Sequence, residues 1–410
     1  MAIIKATCLK VLQQILVFGL ALAAVIGLRP ALAENEPILI GEISSYSALP
    51  IGTEAYRKGW QLAVDEINQK GGLLGRPIKI ISRDDAGRPD VALTAANELL
   101  SRYEVKMLTG TTLSNVGLAV ADFSKQKGLF FLATQPLTDA LIWENGNSTT
   151  FRLSPGTFAH AMVLAEKAAK FPAKRWATVA PNYEFGQSAV ASFKSELKRL
   201  RPDVEFVSEQ WPPLGKMDAG AIVQAVASSA PEAIFNATFG SDLVKLVREG
   251  NLRGLFKDRT TISMLTGEPE YLDSLKDETP KDWIVTGYPW SSINTPDHTK
   301  FLAAYRARYK DYPRMGSLMG YSNILVLAEA IKRAGSTDTE ALLTAMKGLA
   351  VATPAGVISF RAIDHQSTMG VYVGHLDIKN GHGVMVDWRY EDGVRLQPSE
   401  DFVRARRKEP

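Results

Sequence analysis

Cysteine is almost absent. The 410 residues contain one, Cys8, which precedes an uncharged apolar run over 11–28. Lys5 and Lys10 lie before that run, and Pro30 and Ala31-Leu32-Ala33 follow it as a breaker and a small-x-small cleavage site. Residues 1–33 therefore read as a signal peptide cut before Glu34, and Cys8 leaves with it. The mature chain then has no disulfide and no thiolate chemistry. It also lacks a charge excess: loss of Lys5, Lys10 and Arg29 leaves 44 basic against 44 acidic residues, which gives no argument for nucleic acid. The basic end 404–408 reads as a solvated tail. No later apolar run is long enough to span a bilayer.

Catalytic and metal patterns are missing too. His160, His298, His365, His375 and His382 have no metal-ligand spacing. Gly186-Gln187-Ser188-Ala189-Val190 lacks the second glycine of a nucleophile elbow. Gly71-Gly72-Leu73-Leu74-Gly75 ends a helix instead of opening one, so it is no phosphate loop. No enzyme activity, cofactor or metal is expected.

What is present is alternation. Trp60, Ala63, Val64 and Ile67 recur at helical spacing, Gly71-Gly72 breaks the helix, and Ile78, Ile80 and Ile81 form a β-branched run. Asp84 and Asp85 then stand at a strand end, placed to cap the next helix. Strands are expected at 37–43, 77–83, 105–109 and 129–133, with helices at 54–69, 90–101 and 115–125. A second block repeats the rhythm, with strands at 175–180, 204–208, 233–236 and 260–264 and helices at 185–200, 219–228 and 241–251. The pattern predicts an α/β protein of two doubly wound parallel-sheet lobes. About 375 mature residues fit two lobes better than one core. Helices at 295–312 and 317–334 have no strand of their own and must cover the first sheet; strands at 370–378 and 384–388 return to the second. The chain thus crosses three times, near 154–157, 287–291 and 359–364. Lobe 1 comprises 34–155 plus 290–359, and lobe 2 comprises 156–289 plus 360–410.

Small ligands in open α/β sheets lie beyond the carboxyl ends of the strands, where helix N-termini present N–H groups. Gly110-Thr111-Thr112-Leu113-Ser114-Asn115 follows the third strand and suits a carboxylate, with plain capping as the alternative role of Ser114. Gln135, Leu137 and Thr138 follow the fourth, where Thr138 can equally cap a helix, and Tyr46 follows the first. Across the cleft, Tyr183, Phe185, Phe239 and Tyr288 supply aromatic walls. Asp364-His365-Gln366 lies by the last crossing, where His365 either reaches ligand or helps lock the hinge.

Most of the mature chain resembles the leucine/isoleucine/valine-binding family of periplasmic solute-binding proteins. The resemblance rests on ILIGEISS at 38–45, the helix and Asp-Asp unit, GTTLSN, Asn182-Tyr183-Glu184-Phe185-Gly186, FLAAYRARYKDYP from Phe301, and Ala355-Gly356-Val357-Ile358-Ser359-Phe360. It implies a type I periplasmic binding protein, a monomer that closes on a small carboxylate and delivers it to a membrane ABC permease. It further implies Ser114 and the 135–138 loop on the carboxylate. The acidic residue that holds an ammonium in amino-acid binders aligns near Thr266, so, unless Glu268 substitutes for it through a shifted loop, the resemblance points toward the branch binding aromatic acids of benzoate or phenylpropanoid type. A branched-chain or other amino acid is the alternative ligand, and a periplasmic sensing module the alternative role.

Overall fold

The structure, a computed structural model, describes residues 36–408. The expected leader lies outside them. The first strand, β1 (Ile38–Ser44), is followed by α1 (Pro50–Gln69), β2 (Ile78–Asp84) and α2 (Pro89–Tyr103). β1 and β2 pair in parallel from Ile38↔Ile78 to Ser44↔Asp84, which completes the unit read from the sequence. The aspartates do not cap α2. Asp84 accepts the N–H groups of Ser47 and Ala86, and Asp85 that of Gly87, so both close the turn before it.

β3 (Met107–Gly110), α3 (Ser114–Lys127), β4 (Phe130–Ala133) and β5 (Thr150–Arg152) complete a parallel sheet in the order β2-β1-β3-β4-β5. The chain then crosses to the second lobe. There α4 (Thr157–Ala168), β6 (Arg175–Val179), α5 (Glu184–Leu200), β7 (Glu205–Gln210), α6 (Ala219–Ser228), β8 (Ala233–Asn236), α7 (Gly240–Leu252), β9 (Thr260–Gly267), α8 (Pro269–Leu275) and β10 (Ile284–Gly287) follow in order. β13 (Val371–Lys379) and β14 (His382–Glu391) extend this sheet antiparallel, giving β14-β13-β10-β9-β8-β6-β7. β5 and β10, each only three or four residues long, escaped the sequence reading. β11 (Ala350–Thr353) and β12 (Gly356–Ser359) form a separate antiparallel pair.

Between the last crossings lie α9 (Pro296–Tyr309), α10 (Met315–Ala334) and α11 (Thr339–Met346), and α12 (Glu400–Arg406) ends the chain. α10 returns to the first lobe by packing on α1 through small residues. A Cβ added at Gly320 would sit 2.1 Å from the Tyr56 carbonyl oxygen, and one at Gly59 2.1 Å from that of Ser317. Larger residues would force the helices apart, and overpacking of that kind costs about 1–3 kcal/mol. The basic tail is only partly solvated. Arg407 reaches inward and donates to the carbonyl oxygens of Ile142, Asn147 and Asp364, joining the C-terminus to the third crossing.

Candidate functional site

A cavity of about 820 Å³ lies off the carboxyl ends of the strands of both sheets. That volume is in the range of small-molecule sites. Five helices start at its wall: α1, α3, α5, α7 and α8 have N-cap residues Leu49, Leu113, Tyr183, Phe239 and Glu268, all of which line the cavity. None of these side chains caps its own helix. α1 and α8 open with Pro50 and Pro269, which have no N–H, and the uncapped starts of α3, α5 and α7 at the wall favour an anion.

The carboxylate side is built on β3 and β4. Gly110 at φ +105° lets the chain turn within 2.3 Å, at its Cβ position, of the Ile43 carbonyl oxygen, which sets the following threonines beside the end of β1. The Thr112 hydroxyl lies 2.9 Å from that of Ser44 and donates to Gln135 Oε1 at 3.3 Å. Ser114 is the first residue of α3, not its cap, and its Oγ accepts the Thr138 N–H at 3.2 Å, which leaves its own proton free for an acceptor in the cavity. Leu137 lines the wall beside them.

Opposite stand Tyr183, Phe185 and Phe239, with ring centroids 5.7–6.4 Å apart and the last two edge to face. Burial holds the Tyr183 phenol well above its ordinary range, so it faces the cavity as a neutral donor. His160 also lines the wall, bonded through Nδ1 to the Thr286 hydroxyl at 3.1 Å. Burial, helped by the Arg152 charge, pushes its pKa down to about 3, so its ring is neutral.

The acid sits at Glu268. Its side chain lines the cavity at 9% exposure and makes no hydrogen bond or ion pair with any described residue. Glu270, also lining the cavity, accepts the backbone N–H groups of Met315 and Gly316. Burial raises both carboxyls, and at Glu268 the neighbouring Glu270 adds to the rise. A buried carboxyl without a partner calls for a cation or a donor from the ligand.

Seven of the residues read from the sequence line this cavity: Thr112, Ser114, Gln135, Leu137, Tyr183, Phe185 and Phe239. Five do not, and each is already engaged elsewhere. Tyr46 is buried under α1 and donates to Glu42 Oε2 at 3.0 Å. Thr138 points across to Glu184 Oε1 at 2.6 Å and accepts the Ala140 N–H, so it caps a short 3₁₀ turn. Thr266 turns into the sheet, its hydroxyl 2.5 Å from that of Ser263. Tyr288 is buried against His298 Nε2 at 2.7 Å. His365 stacks on Phe151 with centroids 4.0 Å apart and donates from Nδ1 to the Thr150 carbonyl oxygen, a structural role at the crossing. Glu270 and His160 were passed over as ligand groups, and Glu268 was considered only as a substitute acid from a shifted loop.

The Tyr46 partner has its own consequence. Glu42 is buried, and burial lifts its carboxyl from 4.5 to about 8 against the bonds from Ser82 and Tyr46. A raised acid is protonated in the fold, so its stability contribution is complete below pH 4.5 and is lost as pH rises to 8. Glu42→Gln mimics the protonated acid. The stability of the variant minus that of the wild type should therefore climb between pH 5 and pH 8.5, by on the order of 4 kcal/mol. Thermal or urea unfolding across that range checks it, and a flat difference would mean that Glu42 is ionised in the fold.

Residues 39–382 match the model of a family described as periplasmic binding protein. The chain belongs to that family. Among its relatives is a Leu/Ile/Val-binding protein homolog 7 from Brucella suis, 26% identical over 81% of this chain and 85% of that protein. Similar folds include a solute-binding protein of an ABC transporter from Rhodopseudomonas palustris BisB5, solved with 3,4-dihydroxybenzoic acid, at TM-score 0.79 and 22% identity over 87% of this chain and 98% of that one. An amino acid ABC transporter substrate-binding protein from Pseudomonas fluorescens Pf-5 superposes at TM-score 0.78 and 21% identity, covering 90% and 98%.

Proposed function

We propose that the protein captures an α-amino acid with an apolar or aromatic side chain in the periplasm and delivers it to a membrane ABC permease. The observation that carries this reading is Glu268, a buried carboxyl without a protein partner, in the wall of a cavity that also presents Ser114, Thr112 and the open start of α3. Carboxylate donors with a lone acid in the same cavity match the two charges of a zwitterion, while Tyr183, Phe185 and Phe239 receive the side chain. The expectation of an ammonium site lost at Thr266 rested on the family resemblance and left Glu268 as the substitute acid, and the place of Glu268 in the cavity wall two residues later supports that substitute. We take 34–155 with 290–359 as one lobe and 156–289 with 360–410 as the other, so that the ligand loops lie on both sides of one cleft.

A second reading is supported by the aromatic triad and by the dihydroxybenzoate-bound relative in fold: an aromatic carboxylate whose ring hydroxyl meets Glu268. Matched pairs separate the two. L-leucine and L-phenylalanine should raise the melting temperature, while 4-methylpentanoate and 3-phenylpropanoate should do so far less; a hundredfold excess over Kd is worth about 2.7 kcal/mol. Stabilisation by hydroxybenzoates or cinnamates with no response to any amino acid would overturn the amino-acid reading.

A further inference from the structure

Thr286 fixes the proton on His160. Its hydroxyl oxygen accepts the Leu265 N–H at 2.9 Å and lies 3.1 Å from His160 Nδ1, and no other described group accepts from it. The hydroxyl therefore donates to Nδ1, and a neutral imidazole that accepts at Nδ1 carries its own proton on Nε2. Nε2 bonds no described residue. The side chain is 5% exposed and lines the cavity; with Nδ1 turned to the second sheet, the opposite edge of the ring meets the ligand space. The backbone sets this donor beside the carboxylate loop. Ser154 and Thr157 give their N–H groups to the Thr134 and Leu137 carbonyl oxygens at 3.2 and 2.8 Å, and the Ser154 hydroxyl donates to that of Pro136. The start of α4 is thereby tied to that loop, and His160 stands about one turn further on. On its other side Thr286 holds Leu265, whose carbonyl oxygen accepts the Glu268 N–H at 2.9 Å.

Resting on the carboxylate half of the proposed function, we propose that His160 is a ligand-binding residue whose Nε2–H donates to the ligand's carboxylate from α4, while Thr112 and Ser114 hold it from the first sheet. An apolar amino acid has no acceptors except its carboxylate oxygens, so a buried donor that lacks a protein partner has one group to meet. A neutral donor suits the place. It holds the anion without burying another permanent charge, which would carry its own desolvation cost. Because α4 follows the first crossing directly, a bond from its histidine joins the anion to both sides of the cleft.

Asparagine and glutamine divide the two ring nitrogens between them. The asparagine amide reaches the place of Nδ1 and can keep the Thr286 bond, whereas the glutamine amide reaches that of Nε2. In calorimetry with L-leucine and with 4-hydroxybenzoate, His160→Asn should weaken whichever ligand binds by about tenfold or more, as for loss of a hydrogen bond to a charged group, and His160→Gln should lose much less. A histidine that only braces Thr286 gives the reverse order. That order, or an equal loss in both variants, overturns the proposal. Should neither variant fold, the wild type decides: the ring nitrogen shifts of His160, assigned by NMR contacts to Thr286, should show Nε2 protonated and Nδ1 bare, and saturating ligand should slow solvent exchange of the Nε2 proton severalfold. A proton on Nδ1, or exchange that ligand leaves unchanged, overturns it. Binding of 4-hydroxybenzoate alone, with the same order of variants, overturns the amino-acid reading and upholds His160 as a carboxylate donor. Binding of neither ligand overturns both.

Discussion

Glu268→Gln is expected to weaken binding of an apolar amino acid by about 2–5 kcal/mol, roughly thirtyfold to several thousandfold, because it strips the ammonium of a buried counter-charge. The same change should leave 4-methylpentanoate and 3-phenylpropanoate within threefold of their wild-type affinities. Those molecules share the carboxylate and the apolar body, so they use Ser114, the α3 start and the aromatic walls alone. Glutamine keeps the length of the side chain and an acceptor oxygen, which confines the loss to the charge. Titration calorimetry of both ligand types on both proteins measures the difference. Unchanged amino-acid affinity would leave Glu268 as a buried acid with no part in recognition.

The fold was legible because both period and punctuation agree with it. The helix ending at Gly71-Gly72 and the β-branched strand after it fall where expected, and the strandless helices do cover the first lobe. β5 and β10 run directly into crossings and were not read as strands, although β3, β4 and β8, each four residues long, were. Half of the site was legible for the same reason, as loops at strand ends are located by their strands. The resemblance placed the ammonium acid near Thr266, with Glu268 as a substitute from a shifted loop. Leu265 adopts φ +68° near the end of β9, Thr266 turns to Ser263 and Glu268 lines the cavity. One signal was available and unused. Leucine, tyrosine and phenylalanine are poor N-caps, and their presence at the starts of α1, α3, α5 and α7 marks helix ends that are held open.

Arg152 left no trace in the sequence, because its partners are two carbonyl oxygens, an aspartate and a glutamine distant in the chain. It is 1% exposed at the end of β5. Nε donates to Gln366 Oε1 at 2.6 Å, Nη1 to the carbonyl oxygens of Leu137 and Thr138 at 3.0 and 2.6 Å, and Nη2 to Asp139 Oδ1 at 3.3 Å. Gln366 in turn donates to the Ser154 carbonyl oxygen, so one guanidinium joins the first crossing, the third crossing and the loop after β4. Arg152→Met is expected to destabilise the protein by about 3–5 kcal/mol, the range for breaking one side of a buried pair. Burial already lifts the Asp139 carboxyl against the pull of Arg152, and removing the arginine leaves that acid with only neutral donors. Adding Asp139→Asn should therefore recover part of the loss in urea unfolding, and no recovery would assign the effect to packing. Where the variant folds, it should also weaken amino acids and their des-amino analogues alike. The carbonyl oxygens it releases belong to Leu137 and Thr138, whose loop fixes the Thr138 N–H on Ser114. Equal loss for both ligand types would separate this carboxylate-side support from the ammonium selectivity of Glu268.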